Sequence, residues 1–90
     1  VQYRKFYKCK NILSLPFDFY LPDYNLCIEY HGIQHYEPQE FFGGVKEFKK
    51  RKKNDRIKLK YCKNNNIPLL IISYLEFNNI EEILEKTLFN

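Results

Sequence analysis

Five residues in this chain are of types, and at spacings, that could hydrolyse a phosphodiester. Asp18 and Glu29 lie in the segment PFDFYLPDYNLCIEYHG, and His31 and His35 follow within six residues of Glu29. Asp55 is the single acid between Glu47 and Glu76. If Asp18 and Glu29 oppose one another on antiparallel strands, their Cβ atoms lie roughly 4.5–5.5 Å apart, and two like charges there are destabilising. A hard divalent cation held through oxygen would offset that repulsion, and it is also the reagent in metal-assisted phosphodiester cleavage. Two solvated acids on an open sheet face are the plainer alternative. A neutral imidazole near a metal-bound water is a natural general base, because its unperturbed pKa is close to neutrality. An acid behind such a ring would orient it and stabilise its charged form. A surface histidine in a polar loop is the commoner fate, but two histidines beside paired acids favour the functional role.

The elements that must position these residues can be read from periodicity. Residues 16–21 alternate, with Phe17, Phe19 and Leu21 on one face and Asp18 and Tyr20 on the other. Residues 26–31 alternate with Leu26, Ile28 and Tyr30 opposite Cys27, Glu29 and His31. Pro22-Asp23-Tyr24-Asn25 supplies the turn between them. This closure sets Leu21 across from Leu26, Phe19 across from Ile28 and Asp18 across from Glu29, matching apolar with apolar and acid with acid. Residues 2–9 read as an earlier strand, and residues 32–44 as a loop. From Val45 to Asn64 there is no Gly or Pro and there are many good helix formers, which predicts a helix. Phe48, Asp55, Leu59 and Cys62 fall on one stripe of it, so Asp55 should point inward. Pro68 to Tyr74 is an apolar run expected to be a strand buried on both faces. Residues 79–88 carry Ile80, Ile83, Leu84 and Leu88 at helical spacing. The expected order is β-β-β-α-β-α.

Ninety residues form one small domain, so residues 1–90 are read as a single unit. The chain contains no Met, and the expectation is a piece of a longer protein. Net charge is +4 with a pI near 8.9, which points toward a polyanionic partner. Ten of the fifteen Lys and Arg residues lie in the expected long helix. Among them Lys50, Arg51, Lys53, Arg56 and Lys58 are the candidates for phosphate contact, although charge runs are usually solvated faces. Cys9, Cys27 and Cys62 are odd in number and form no CxxC pair. A zinc knuckle and a disulfide framework are therefore disfavoured, and an intracellular, reducing, cytoplasmic setting is expected. No membrane partner is expected, since no stretch is long and apolar enough to span a bilayer, and no secretory leader is visible.

Taken together, the string DFYLPDYNLCIEYHGIQHY followed by NDRIKLKYCKNNNIPLLIISY resembles the PD-(D/E)xK nuclease superfamily. The nearest likeness is to the branch of very-short-patch mismatch repair endonucleases and phage-type homing endonucleases with an EDxHD site. The resemblance covers about residues 2–75. It implies a restriction-endonuclease-like α/β fold: a mixed sheet flanked by helices, with a further helix expected upstream. It implies that Asp18 is the metal-binding strand Asp, that Glu29 is the acid of the ExK-type motif, that His35 is the catalytic histidine and that Asp55 is the final Asp. The position that usually holds the motif lysine is His31. The branch also carries a Glu on a helix before the first strand. Residues 1–17 contain no acid, so that Glu would lie upstream.

The expected activity is Mg²⁺- or Mn²⁺-dependent cleavage of double-stranded DNA, most simply as the catalytic domain of a homing endonuclease. The metal would sit on Asp18 and Glu29. Ninety residues leave little for base readout, so a separate recognition module is expected, and a homodimer is left open. One rival keeps the fold but selects mismatches or junctions. Another is a non-catalytic nucleic-acid-binding module whose acids merely balance its cations.

Overall fold

The structure, a computed structural model, describes residues 6, 8–11 and 15–89. Three strands form one mixed sheet: β1 (Phe19–Leu21), β2 (Leu26–His31) and β3 (Leu69–Ser73), in the order β1-β2-β3. Two helices follow the second and third strands, α1 (Gly44–Asn64) and α2 (Ile80–Phe89). Of the strand expected over residues 2–9, only Phe6, Lys8 and Cys9 fall among the described residues, and Lys8 and Cys9 there form a turn and a bend. The fold is thus α/β, with β-β-α-β-α among the described residues.

β1 and β2 pair antiparallel, with Phe19 opposite Ile28 and Leu21 opposite Leu26, as the matching of apolar residues requires. Pro22–Tyr24 make one 3₁₀ turn, and Asn25 closes it at φ 47. Asparagine tolerates that left-handed conformation because its short side chain bonds locally. Here its amide also donates to the carbonyl of Asn66, itself at φ 56 before β3, and its Oδ1 accepts from the Tyr20 hydroxyl. Two left-handed asparagines therefore pin the β1–β2 turn to the start of β3. β2 and β3 are parallel, with Glu29 opposite Ile71 and His31 opposite Ser73. Parallel neighbours need a crossover, and α1 provides it.

The sheet has two unlike faces. On one, Leu26, Ile28 and Ile72 pack against Ile80, Ile83, Leu84 and Leu88 of α2. α2 is entered through a 3₁₀ turn over Tyr74–Asn79, which takes Tyr74 from the end of the expected strand and Asn79 from the start of the expected helix. A capping box starts that turn: Leu75 N–H donates to Ser73 Oγ, and Ser73 N–H donates to Glu76. On the other face, Cys9, Phe17, Cys27, Cys62 and Ile67 make the core beneath α1.

Two expectations fail, each for a physical reason. Phe17 does not share a face with Phe19. The chain bends at Asp18, so Phe17 is fully buried on the α1 side while Phe19 is more than half exposed on the α2 side. β3 is not buried on both faces. It is an edge strand, and Ile71 is 39% exposed beside an open cleft.

Candidate active site

The α1-facing side of β2 and the inward side of α1 meet in three rungs. Cys27 faces Cys62, Glu29 faces Lys58, and His31 faces Asp55. The spacings are commensurate: two strand residues advance about 6.6 Å, and three or four helix residues about 4.5–6 Å. Polarity rises along the ladder from the core to the surface. The cysteines are buried, the Glu29 and Lys58 side chains are 4% and 13% exposed, and the His31 and Asp55 side chains are 9% and 18% exposed. Asp55 points inward as its place on the helix implied. Leu59, assigned to the same stripe, is instead 54% exposed. The inward stripe is Arg51, Asp55, Lys58 and Cys62, at spacings of four, three and four. Its polar character hid it from a search for apolar periodicity.

Asp18 and Glu29 extend the β1–β2 register by one step, through side chains instead of backbone. Asp18 N–H donates to Glu29 Oε2 at 2.7 Å, and Tyr30 N–H donates to Asp18 Oδ2 at 2.8 Å. The second oxygen of Glu29 accepts from Lys58 Nζ at 2.6 Å. The like-charge repulsion is therefore offset within the protein, by one ammonium and two backbone N–H groups. Lys58 Nζ also lies 5.4 Å from the Phe17 ring centroid, a cation–π distance.

His35 leaves β2 through Gly32 and one 3₁₀ turn over Ile33–His35. Its Nδ1 lies 2.9 Å from Asp55 Oδ2. With the carboxylate accepting, Nδ1 carries the proton and Nε2 keeps a lone pair. The His31 ring stacks on His35, with centroids 4.0 Å apart and planes within 6°. His31 Nε2 lies 3.9 Å from Glu29 Oε1 and 4.0 Å from Asp55 Oδ1. Burial, with the adjacent His35, holds the His31 pKa below its ordinary value. Burial alone would raise the Asp55 carboxyl, but the His35 hydrogen bond and the nearby His31 and Lys58 outweigh it and hold the pKa low.

The loop that bears His35 is itself anchored. Arg51 donates through Nε to the Gln34 carbonyl at 3.2 Å and through Nη2 to the Phe42 carbonyl at 2.8 Å. The loop rejoins α1 through Gly43 at φ 90, where a Cβ would fall 2.2 Å from Glu47 Cγ, so a glycine is required. Of the residues proposed for phosphate contact, Arg51 and Lys58 are thus engaged within the protein. Lys50, Lys53 and Arg56 are exposed, with Lys50 3.4 Å from Glu47.

A cleft of about 420 Å³ opens above His31 and Asp55, lined also by Tyr36, Lys52, Arg56, Leu59 and Ile71. Lys52 and Arg56 give it positive flanks, and neither the cleft nor Lys52 was singled out from sequence. A groove of about 450 Å³ on the α2 face is wholly apolar and holds none of these ionisable groups.

Two donor sets could hold a metal. Asp18 and Glu29 offer only carboxylate oxygen, which suits Mg²⁺ or Mn²⁺. Each oxygen in the bonds above uses one lone pair and has a second. His31, His35 and Asp55 place one ligand atom each within 4.8 Å of one another, a mixed nitrogen and oxygen set. A ligated ion lies near the plane of its imidazole, and two parallel stacked rings share no in-plane point. Joint ligation there would require one ring to turn.

No protein-family model matches the chain. No solved structure matches it. Over 62 residues it is 36% identical to the uncharacterized protein 307L of Invertebrate iridescent virus 6, a match that takes in 68% of the chain. The chain is similar to 32% of that protein's length, so it spans about a third of the relative.

Proposed function

We propose that this chain is the catalytic domain of a metal-dependent DNA endonuclease, of restriction-endonuclease-like fold and similar in its site to the EDxHD homing branch. The observation that carries the reading is the ladder. β2 and α1 bring Glu29, Lys58, His31 and Asp55 together, with Asp18 and His35 bonded to them from the neighbouring segments, and His31 and Asp55 open onto a cleft with cationic flanks. Random juxtaposition of structural residues does not require a His35–Asp55 hydrogen bond beside a second, buried ring. Free Cys9, Cys27 and Cys62 accord with a reducing, intracellular setting.

Mg²⁺ or Mn²⁺ held by Asp18 and Glu29 would polarise the phosphate and lower the pKa of bound water. The remaining work belongs to the side chains. His35 Nε2 accepts the proton of the attacking water, while Asp55 holds Nδ1–H and stabilises the ring once it is charged. His31 walls the dyad on one side and limits the directions His35 can take. Lys52 and Arg56 meet the phosphates on either side of the scissile bond, giving affinity without sequence information. Recognition of a target sequence belongs to a separate module.

The test is conversion of supercoiled plasmid to nicked or linear DNA with Mg²⁺, with chelator, and with Asp18→Asn. Cleavage that needs the cation and is lost in the variant supports the reading. Cleavage that persists in chelator opposes it. One observation favours a second reading, a non-catalytic binding module: Glu29 is already neutralised by Lys58. DNA binding without cleavage at any Mg²⁺ or Mn²⁺ concentration would select that module.

A further inference from the structure

Lys58 has no place in the mechanism above, yet its ammonium is largely buried against a carboxylate. Its ammonium lies 2.6 Å from Glu29 Oε1, and the two side chains are 13% and 4% exposed. Glu29 Oε2 is already taken by Asp18 N–H. A divalent ion on a carboxylate sits about 2.0–2.2 Å from its oxygen. An ammonium at 2.6 Å from the same oxygen holds one of its two lone-pair directions, so an ion taking that direction must displace it. Two cations cannot share that position without strong repulsion. Lysine is also suited to move: a compact charge on a flexible stem, with donors left over after one bond to Glu29. Its ammonium lies 5.4 Å from the Phe17 ring centroid, and His31, which is 3.9 Å from the same Glu29 oxygen, lines the cleft.

We infer that Lys58 is a resident counter-cation of Glu29: its ammonium holds the carboxylate's charge until a divalent cation takes that place, and it then swings toward the bound phosphate. This rests on the metal reading of Asp18 and Glu29 and adds to it an exchange of one cation for another. Loss of the lysine charge alone would raise metal affinity even if Lys58 stayed in place, so the exchange is read from the movement of its ammonium as well as from affinity. A resident competitor, once removed, leaves the metal to bind more tightly.

The experiment titrates Mn²⁺ at pH 8 into the wild-type chain, Lys58→Met and Asp18→Asn, reading free Mn²⁺ by electron paramagnetic resonance. Methionine keeps the stem over Phe17 and removes the charge. Lys58→Met should bind Mn²⁺ about tenfold more tightly, or better, because a like charge has left the site. Equal or weaker binding than wild type overturns the exchange while leaving the metal reading intact. No Mn²⁺ bound by the wild type or by Lys58→Met overturns both. If Lys58→Met does not fold, the wild type answers alone. Its Lys58 ammonium resonance in ¹⁵N NMR should shift and exchange faster with water as Mg²⁺ saturates the site. An ammonium signal unchanged through Mg²⁺ saturation overturns the inference.

Discussion

His35 and Asp55 form the unit on which the chemistry turns, joined by one hydrogen bond of 2.9 Å. A positioned general base contributes about 10²–10⁴-fold, so His35→Ala should lose cleavage by that factor and keep DNA affinity. Asp55→Asn should lose less, since the imidazole stays but its orienting charge is gone. The double variant should be little worse than His35→Ala, because residues acting as a unit are not additive. Losses that multiply in single-turnover cleavage would show that the two act separately. At this scale much was legible in the sequence. The facing of Asp18 and Glu29, the shared face of Glu29 and His31, and the inward Asp55 all follow from parity and helical angle. Lys58 as the partner of Glu29 was not legible, because ten cations crowd one helix and composition does not say which one turns inward.

Among the elements, α1 carries two faces with different tasks. Its inward stripe builds the ladder. Its exposed cations Lys46, Lys49, Lys53, Arg56, Lys60 and Lys63 recur at spacings of three and four, a second stripe running about 25 Å along the helix. Arg56 belongs to this stripe and to the cleft, so the two surfaces are continuous. Phosphate contacts made by such a stripe release counterions, and affinity should fall steeply with salt. Replacing Lys49, Lys53 and Lys60 with Ala should weaken DNA binding at low salt and reduce the slope of log affinity against log salt by about two to three. An unchanged slope would reduce the stripe to a solvated surface. The long helix and the hairpin were legible because their periods are strong. The 3₁₀ turn that leads into α2 was not, since YLEFNN has neither period.

For the molecule as a whole, the buried polar ladder makes stability depend on pH. His31 titrates in the folded chain below its ordinary 6.5, chiefly through burial. The unfolded chain therefore binds its proton first, and stability falls as pH drops from 6.5 through the folded value. Asp55 is held below its ordinary 3.8, so its contribution is present above that value and is lost at still lower pH. Chemical denaturation across pH 8 to 4 should show a declining midpoint, with the first decline beginning near 6.5 and absent in His31→Gln. A flat profile would mean that His31 is not buried against like charge. An α/β chain with a mixed sheet was expected from the order of elements together with the family resemblance, whereas the packing of α1 and α2 on opposite faces was not. The burial of β3 was overestimated, because an apolar run alone does not distinguish a central strand from an edge beside a cleft.

The central claim is that the β2–α1 ladder is a metal-dependent hydrolytic centre for DNA, and plasmid cleavage by Glu29→Gln beside the wild type tests it most directly. Both proteins should retard DNA equally, since the exposed stripe is untouched. With Mg²⁺ the wild type should nick or cut the plasmid, and Glu29→Gln should do so at least about a hundredfold more slowly, for it has lost an anionic ligand for the cation. Equal cleavage by the two proteins, or none by the wild type with Mg²⁺ or Mn²⁺ while it binds DNA, would contradict the claim.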